Sequence, residues 1–403
     1  MKTQESQSSG KTPGRSLNIL FVAGCWYPHE EQPLQGLFIR RHAEAVALQH
    51  EVTVLHLVAL PDGPNSPEIH LEKGSGVREI RVRFRCRPTM EGGALASQWA
   101  HFVAGRHGCR ELRKMGLSPD LLHFHVVPSA GLTIAVKAVF PRRPHIVTEH
   151  WTGYVPESGV KLSPARRLYT GQFFRSAAAV TVVSEFHERM MRDLNFGGQY
   201  VVIPNVVDTS VFRPPDKVLT GPIRLVHVSS LRPVKRVPDL VQAVVSNLCR
   251  GIDLELHIIG DGPSAETSRS VALDAGVLGK RVFFYGELDD KRVAARVRAS
   301  DCSVLFSDFE NSPCVVGEAL ACGIPMLAPR IAGIPEHITT ERGVLISPGD
   351  EDGLVEAMGD IVRRGRTWDS DAIRSYAVEK FSQQAVGCLF DDVYSLSLDP
   401  GKR

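Results

Sequence analysis

The chain has 403 residues, of which 23% are charged and 43% hydrophobic, and its formal net charge is +2. This composition is typical of a soluble globular protein, and the length exceeds one ordinary hydrophobic core, so it predicts two domains. No apolar run reaches the roughly 18 residues of a membrane span. The polar stretch 1–16 lacks the apolar segment of a secretory signal and is predicted to be a disordered leader. The eight cysteines include no CxxC pair, which favours buried thiols in a reducing cytosol over disulfides or zinc.

Charge is unevenly distributed along the chain. Residues 1–200 contain 24 lysines and arginines against 17 acidic residues, whereas the remainder contains 23 against 28. This asymmetry indicates either an anionic partner, such as a membrane surface, for the N-terminal half, or ordinary solvated charge.

The first half alternates short apolar runs with helical patterns. The run LNILFVAG (17–24) ends in glycine, and apolar residues then recur at helical spacing in 36–50. REIRVRFRCR (78–87) alternates arginine with apolar residues and predicts a strand with one solvated face. Further strands are predicted within 51–60, 121–127, 145–151, 178–186 and 200–208. Short strands that are apolar on both faces and alternate with helices predict a parallel sheet covered on both sides.

The same pattern restarts after a proline- and threonine-rich stretch, 209–222, which is predicted to be a linker. New strands are predicted within 223–231, 254–262, 281–288, 302–308 and 324–330. The predicted fold class is therefore α/β, with two doubly wound, Rossmann-like domains at 17–208 and 223–380. The segment 381–403 is expected to form a C-terminal crossover helix and tail. Such sheets bind ligands at the carboxyl ends of their strands, so the cleft between the domains is the expected site.

The stretch FENSPCVVGEALACG (309–323) is the most informative local motif. Ser312 is a favourable N-cap, Pro313 suits the first helical position, and Gly323 suits a left-handed C-cap, which predicts a helix over 313–322. The free N–H groups at its start, on Cys314, Val315 and Val316, would form an anion site at the positive helix end.

Two glutamates flank that helix start, Glu310 in the loop and Glu318 in the second turn. One interpretation makes them a solvated loop charge and an acid favoured by the helix dipole. In another interpretation, the two carboxylates accept hydrogen bonds from hydroxyl groups of one nucleotide sugar. The carboxylate pair of a retaining glycosidase is a third, but Glu318 inside an apolar helix is poorly placed to flank a glycosidic bond.

The spacing of the two glutamates, followed by EALACGIPMLAPRIAGIPE (318–336), resembles the signature of retaining GT-B fold glycosyltransferases of family 4. VVIPNVVD (201–208), IIGDGP (258–263) and FYGEL (284–288) resemble further motifs of that family in the same order. The resemblance covers residues 17–395 and implies a retaining, nucleotide-sugar-dependent glycosyltransferase.

Carried over by position, the resemblance implies the donor-binding residues in the second domain. Glu318 would hold the nucleotide ribose, Glu310 the donor sugar hydroxyls, and Lys235 in SSLRPVKRVPDL (229–240) would neutralise the diphosphate. Where the family has GRL this chain has SSL (229–231), so Ser230 replaces the family arginine, and Arg232, two residues later, is either its substitute or a solvated loop residue. The remaining donor contacts are assigned to Gly260 and to the amides of Cys314, Val315 and Val316.

In the first domain, HFHVVPSAG (123–131) resembles the family segment whose strand-end histidine matches His125. His125 would contact a donor hydroxyl or the leaving group, and His123 is the more structural of the two histidines. Gly36 is expected to allow a close approach of the chain to the diphosphate. The acceptor side is assigned to Arg40, His150, Trp151 and Tyr154; the alternatives are core aromatics and solvated arginines, and Arg41 is left open in the same way.

Several other chemistries are disfavoured by missing motifs. The chain contains no GxxxxGK[ST], HExxH or GxSxG, and no GxGxxG follows the first strand. No Asp-x-Asp pair sits at a strand end as a metal ligand set, so metal-independent catalysis without a cofactor is expected. The expected partners are a UDP-linked sugar, a saccharide or lipid-linked acceptor and an anionic membrane surface, with no nucleic acid. The expected location is the cytoplasm or the inner face of the membrane.

Three alternatives to this function remain open. HVSSLRPVKRV (227–237) is similar to a loop of enzymes that transfer N-acetylglucosamine to malate, which would make the acceptor a small molecule. The same fold and diphosphate site would also serve a UDP-sugar epimerase or a non-catalytic nucleotide-sugar binder.

Overall fold

The computed structural model describes residues 15–24, 26–74, 76–86, 95–151, 153–154, 160–216 and 219–399. Most of the predicted leader, 1–14, and Cys25 lie outside these residues. The described cysteines are free thiols, and four of them are buried: Cys86, Cys109, Cys302 and Cys322.

The first domain is built on an eight-stranded sheet of order β3-β4-β2-β1-β5-β6-β7-β8. Its strands are β1 (Asn18–Ala23), β2 (Glu51–Leu60), β3 (Glu68–Gly74), β4 (Val77–Arg85), β5 (Leu121–His125), β6 (His145–Glu149), β7 (Ala179–Val182) and β8 (Tyr200–Val202). All neighbours are parallel except β3 and β4, which are antiparallel. The edge strand β3 was not predicted, because its sequence EIHLEKG is polar and lies largely exposed.

Helices cover both faces of this sheet. They are α1 (Leu37–Val46), α2 (Leu95–Lys114), α3 (Ala130–Val139), α4 (Pro164–Ser176) and α5 (Glu185–Asp193). One core joins the sheet to α2, α3, α4 and α5 through Leu112, Val136, Phe173 and Met191. A second core, which includes Ile39 and Ala43 of α1, covers the opposite face.

The second domain has a six-stranded, wholly parallel sheet of order β11-β10-β9-β12-β13-β14. Its strands are β9 (Ile223–Val228), β10 (Leu254–Ile259), β11 (Val282–Phe284), β12 (Cys302–Val304), β13 (Met326–Pro329) and β14 (Gly343–Ile346). Its helices are α6 (Val237–Cys249), α7 (Ala265–Asp274), α8 (Asp290–Arg298), α9 (Cys314–Ala321), α10 (Glu351–Arg364) and α11 (Ser370–Phe381). The two predicted Rossmann-like domains are thus confirmed.

The chain then returns to the first domain, as expected for a crossover helix. Helix α12 (Gln383–Leu398) places Phe390 and Tyr394 in the core beside α1. A Cβ on Gly387 would lie 2.6 Å from the carbonyl oxygen of Ala45, so the two helices touch closely at that point. Among the described residues, no helix is both long and apolar enough to cross a bilayer.

Candidate functional site

Two loops leave the strand-order switch of the second sheet side by side. The first follows β9 and includes a one-turn 3-10 helix, Pro233–Lys235, and the second follows β12 and leads to α9. The N–H of Asp308 donates to the carbonyl oxygen of Val234 at 2.9 Å and ties the loops together. This position, at the carboxyl ends of adjacent parallel strands where strand order reverses, is where such sheets bind ligands.

Lys235 and Glu310 meet where these loops join. Lys235 Nζ donates to Glu310 Oε1 at 2.6 Å, and Ser307 Oγ donates to the same oxygen at 2.7 Å. Glu310 is only 6% exposed. Glu310 is therefore a buried, paired carboxylate, which excludes the solvated loop charge considered from the sequence.

Helix α9 begins one residue later than predicted. Pro313, with φ −67° and ψ 123°, is the N-cap, and Ser312 makes no capping bond; its carbonyl oxygen instead accepts from Asn205 Nδ2 at 3.0 Å. The N–H of Val316 donates to Pro313 O at 3.0 Å. Of the three amides expected to be free, that of Val316 is therefore already bonded.

Helix α9 ends at Ala321, one residue before the predicted end, and the predicted glycine follows its C-cap, Cys322. Gly323 has φ +72°, and a Cβ there would lie 2.2 Å from Ser370 Oγ. This left-handed conformation favours glycine and ends the helical path just after the C-cap.

Glu318 is buried in the second turn of α9 and pairs with an arginine from the first domain. Arg41 Nη1 donates to Glu318 Oε1 at 2.7 Å, and Arg41 Nη2 donates to Asp290 Oδ2 at 2.8 Å. Although burial opposes the arginine charge, Glu318, Cys314 and Asp290 together hold the pKa of Arg41 above its ordinary value. The sequence predicts Arg41 to be either solvated or acceptor-binding. In the structure Arg41 instead forms an ion pair with Glu318 of the other domain.

Burial, with Glu318 nearby, raises the pKa of the Cys314 thiol to about 12. This thiol is therefore protonated at neutral pH and is a poor nucleophile.

The remaining predicted donor-side residues differ in their surroundings. Gly260 has φ +121°, and a Cβ on it would lie 1.7 Å from the carbonyl oxygen of Ser229, so only glycine lets these loops meet. Ser230 and Arg232 are exposed. Within the described part of the chain, the Arg232 guanidinium has no ion pair, and the carbonyl oxygen of Arg232 accepts from the N–H of Lys235 at 2.8 Å.

His125 ends β5 and lies in a buried group with His150 and His42. His125 Nδ1 is 3.5 Å from His150 Nε2, and His42 Nε2 donates to Pro204 O at 3.1 Å. His42 Nδ1 and His125 Nε2 are buried without a partner in the described structure. Burial lowers the pKa of His42 to about 4 and holds the pKa values of His125 and His150 well below 6.5, so all three are neutral at pH 7.

The ring nitrogens of these three histidines lie within 4.8 Å of one another. Among the described side chains, this is the group close enough to hold a metal ion. By contrast His123 is structural, as expected from the sequence. It is hydrogen-bonded to Tyr394 Oη at 2.8 Å and to Thr148 Oγ1 at 2.6 Å.

The residues predicted to face the acceptor do not form one surface. Tyr154 is 5% exposed, belongs to the first-domain core and donates to Glu149 Oε2 at 2.9 Å. Its assignment to the acceptor is wrong, because its hydroxyl satisfies a buried carboxylate. Arg40 lies toward β4, with Nε 3.7 Å from Glu79 Oε1, and Trp151 is half-buried against Tyr154. His150 is the one residue of this set that lies beside His125.

Gly36 caps α1 with φ +67°, and a Cβ there would lie 2.6 Å from the backbone of Trp26. The predicted need for glycine is confirmed in its conformation, but the close approach is to Trp26. A contact of this loop with a diphosphate stays a prediction.

Three further contacts join the domains around α9. Asn311 Nδ2 donates to His150 O at 3.3 Å. Glu336 accepts from the N–H groups of Glu185 at 2.9 Å and Phe186 at 2.7 Å, at the start of α5. Sequence reasoning missed these roles, although Glu336 lies within the quoted motif 318–336; only the placement of one domain against the other reveals them.

The sequence matches two family models that between them cover most of the chain. Residues 36–211 match the model described as Glycosyltransferase Family 4, and residues 222–364 match the model described as Glycosyl transferases group 1. The boundary between the two matches falls in the predicted linker.

Individual relatives agree with this assignment. The chain is 28% identical to the N-acetyl-alpha-D-glucosaminyl L-malate synthase of Bacillus anthracis over 290 residues, 68% of this chain and 74% of the relative. It is 27% identical to the glycogen synthase of Mycobacterium tuberculosis over 384 residues, 89% of each chain.

Solved structures support the fold. A sucrose-phosphate synthase from Thermosynechococcus elongatus superposes with a TM-score of 0.75 at 21% identity, covering 94% of this chain and 98% of the other. The Anabaena protein HepE, solved with UDP and glucose, gives a TM-score of 0.67 at 17% identity, covering 94% and 99%. The chain therefore belongs to glycosyltransferase family 4 and is a GT-B fold glycosyltransferase.

Proposed function

We propose that this enzyme is a retaining glycosyltransferase that moves a sugar from a nucleotide diphosphate, UDP by default, to a saccharide or lipid-linked acceptor. The observation that carries the proposal is the arrangement around α9. Glu310 and Glu318 are both buried beside the helix start, and each is paired with a cation, Lys235 at 2.6 Å and Arg41 at 2.7 Å. Carboxylates recognise sugar hydroxyls, and cations with helix N–H groups recognise phosphate.

In this proposal Lys235 stabilises the charge that develops on the leaving diphosphate. Glu310 holds the donor sugar hydroxyls, and the amides of Cys314 and Val315 complete the anion site. Neutralisation then depends on Lys235 and the helix end, with no metal ion or other cofactor. Catalysis consists of this neutralisation and of placing the acceptor hydroxyl on the same face of the sugar as the departing phosphate.

Glu318 would hold the ribose hydroxyls, so the donor has to share or replace its contact with Arg41. His125, neutral and with Nε2 unsatisfied, suits a hydrogen bond to a donor hydroxyl or to the leaving group. No side chain of the site is placed as a nucleophile in this mechanism, so the leaving phosphate takes the proton of the acceptor.

The donor is tested by a thermal-shift screen over nucleoside diphosphates and nucleotide sugars, because a ligand of the folded state raises the melting temperature. We expect UDP and one UDP-sugar to stabilise the enzyme. A larger shift with GDP would reassign the base; GDP-mannose-dependence is stated for a mannosyltransferase of Mycolicibacterium smegmatis that is 31% identical over 51% of this chain. Proton NMR of the product then reads the anomeric configuration, and inversion would contradict the retaining assignment.

A small dicarboxylate acceptor is the second candidate. The L-malate named for the Bacillus anthracis relative motivates it, together with the loop HVSSLRPVKRV. Release of nucleoside diphosphate with malate as the only acceptor would favour this candidate over a saccharide or lipid.

The same assay separates the remaining alternatives. Nucleoside diphosphate released without an acceptor, together with an epimerised sugar, would indicate an epimerase. Binding of the donor without turnover by any acceptor would indicate a binding protein. We place the enzyme in the cytoplasm or at the inner face of the membrane.

A further inference from the structure

We propose that the outer face of α2 is a membrane-docking surface that binds anionic lipids and holds the first domain against the bilayer. The clearest sign is exposed apolar area at the start of this helix. Leu95 is 87% exposed, Trp99 65% and Val103 37%. Four-residue spacing places these side chains on one face of the helix.

The second half of the same face is basic. Arg106, Arg110, Arg113 and Lys114 are all exposed. At 3.6 residues per turn, they fall within the same arc of about 120° as the three apolar side chains. The helix thus presents an apolar end and a cationic end on one outward face.

The opposite face of α2 is committed to the interior. A Cβ on Gly105 would lie 2.7 Å from a Leu132 methyl group, and one on Gly108 would lie 2.7 Å from a Leu55 methyl group. The helix therefore cannot turn to bury Trp99 without losing this packing. An exposed tryptophan beside cationic side chains is typical of helices that lie in a membrane interface.

The neighbouring helices extend the positive charge. Helices α2, α3 and α4 contain eight lysines and arginines and one acidic residue, Glu111. This concentration explains where much of the positive charge of the N-terminal half lies. This positive charge favours an anionic lipid surface. The exposed apolar side chains favour lipid over nucleic acid, because a nucleic acid offers no apolar phase in which Leu95 could be buried.

The apolar end of α2 also lies at the cleft side of the domain. Helix α2 begins at the sheet edge where β4 ends, which is the edge where β5 ends at His125. The N–H of Gly131, in the first turn of α3, donates to Gln98 Oε1 at 3.0 Å and fixes this end of α2 near the segment that follows His125. If the proposed transfer to a lipid-linked acceptor holds, docking through α2 would bring a membrane-borne acceptor to the cleft; the docking itself does not depend on that function.

The test is co-sedimentation of the full chain with vesicles. We expect binding to phosphatidylcholine vesicles containing about 30% phosphatidylglycerol, little binding to phosphatidylcholine alone, and release by added salt. Binding that is equal on both vesicles, or that salt does not weaken, would overturn the anionic-lipid assignment. Tighter binding to a single-stranded RNA oligonucleotide than to the anionic vesicles would overturn the lipid assignment.

Two pairs of variants locate the surface. Leu95→Ser with Trp99→Ser is expected to weaken vesicle binding about tenfold or more, whereas Leu273→Ser, at a leucine 64% exposed on α7, should leave it unchanged. Unchanged binding in the α2 pair would contradict the proposal.

Arg106→Gln with Arg110→Gln is expected to weaken the binding and to reduce its salt dependence. The exposed second-domain pair Arg250→Gln with Lys280→Gln is its control. A thermal-shift titration with UDP keeps the two proposals apart. Loss of vesicle binding with normal UDP binding in the α2 variants confirms the docking surface. Normal vesicle binding by an unmodified enzyme that does not bind UDP would contradict only the donor assignment. Loss of UDP binding in the α2 variants would indicate a folding defect and overturn the surface role.

Discussion

The partly buried Lys235 and the buried Glu310 neutralise each other, and Ser307 adds a hydrogen bond to the same carboxylate oxygen. Burying a single charge is unfavourable, so in the ligand-free site each group depends on the other. A donor carrying phosphate and hydroxyl groups can replace both contacts at once. The two groups are 75 residues apart in the sequence and lie 2.6 Å apart in the structure.

Changing Lys235 to alanine should lower kcat about 100-fold at saturating donor, since removing one preorganised stabiliser of transition-state charge has an effect of that order. Glu310→Gln tests the partner in the same assay. Lys280→Ala, at an exposed lysine on the second domain, is the control and should keep full turnover. Normal kcat in Lys235→Ala would remove that residue from the mechanism.

Among individual residues, Glu310 and Glu318 could be predicted from the sequence because they belong to one local motif. It did not predict the Arg41 contact, because that contact joins residues 277 positions apart and exists only once the domains face each other. Tyr154 was assigned to the acceptor because it follows a strand into the cleft. The burial of Glu149, which needs a donor and takes the tyrosine hydroxyl, was not readable from the sequence.

The loop after β10 shows how an element is shaped by close backbone contact. Gly260 and Gly262 have φ +121° and +150°, and Cβ atoms on them would lie 1.7 and 2.1 Å from the carbonyl oxygens of Ser229 and Ser230. These glycines therefore hold the loop that leads to Lys235 in place.

Gly260→Ala should lower the free energy of unfolding by about 3 kcal/mol, because both the backbone conformation and the space exclude a methyl group. Gly276 is the matched control, since its φ is +67° but a Cβ added there would have no atom within 4 Å. Its alanine variant should lose about 1 kcal/mol, from the backbone conformation alone. Equal losses in urea unfolding would show that the contact with Ser229 has no role.

Most of the elements with strong apolar patterns were predicted from the sequence. The strands of both sheets match the predicted apolar runs except for two edge strands. β3 was missed because it is polar, and β14 was missed although GVLI is apolar, because it is only four residues long. The start of α9 was misplaced because Ser312 is a good N-cap by type. Its carbonyl is used instead by Asn205, a contact between domains that no local rule contains.

The whole molecule is sensitive to acid through its buried histidines. Burial lowers the pKa of His42, His187 and His227 to about 4, below the ordinary 6.5 of an unfolded chain. The unfolded state therefore binds more protons between these values. The stability contributed by the neutral forms is complete above pH 6.5 and is lost as the pH falls toward 4.

For each such histidine, the free energy of unfolding should fall by about 1.4 kcal/mol for every pH unit of acidification in that range. Urea midpoints on either side of pH 6.5 measure the loss. His42→Phe should reduce it, while His70→Gln, at an exposed histidine, should not. A midpoint independent of pH between 7 and 5 would contradict the buried neutral state.

The two domains are held together on both sides of α9, by Arg41 with Glu318 and Asp290 and by Glu336 at the start of α5. Glu318 thus has two roles, as a domain contact in the ligand-free enzyme and as the proposed ribose ligand. If the proposed ribose contact is made, nucleotide binding and domain contact use the same carboxylate, and changes at Glu318 should alter both.

Isothermal titration with UDP tests the donor site most directly, comparing the unmodified enzyme with Lys235→Ala and Glu318→Gln. We expect one UDP to bind per chain, with affinity reduced at least tenfold in each variant, since each loses a charged hydrogen bond to the ligand. No binding of UDP or of any other nucleoside diphosphate, or equal affinity in all three proteins, would contradict it.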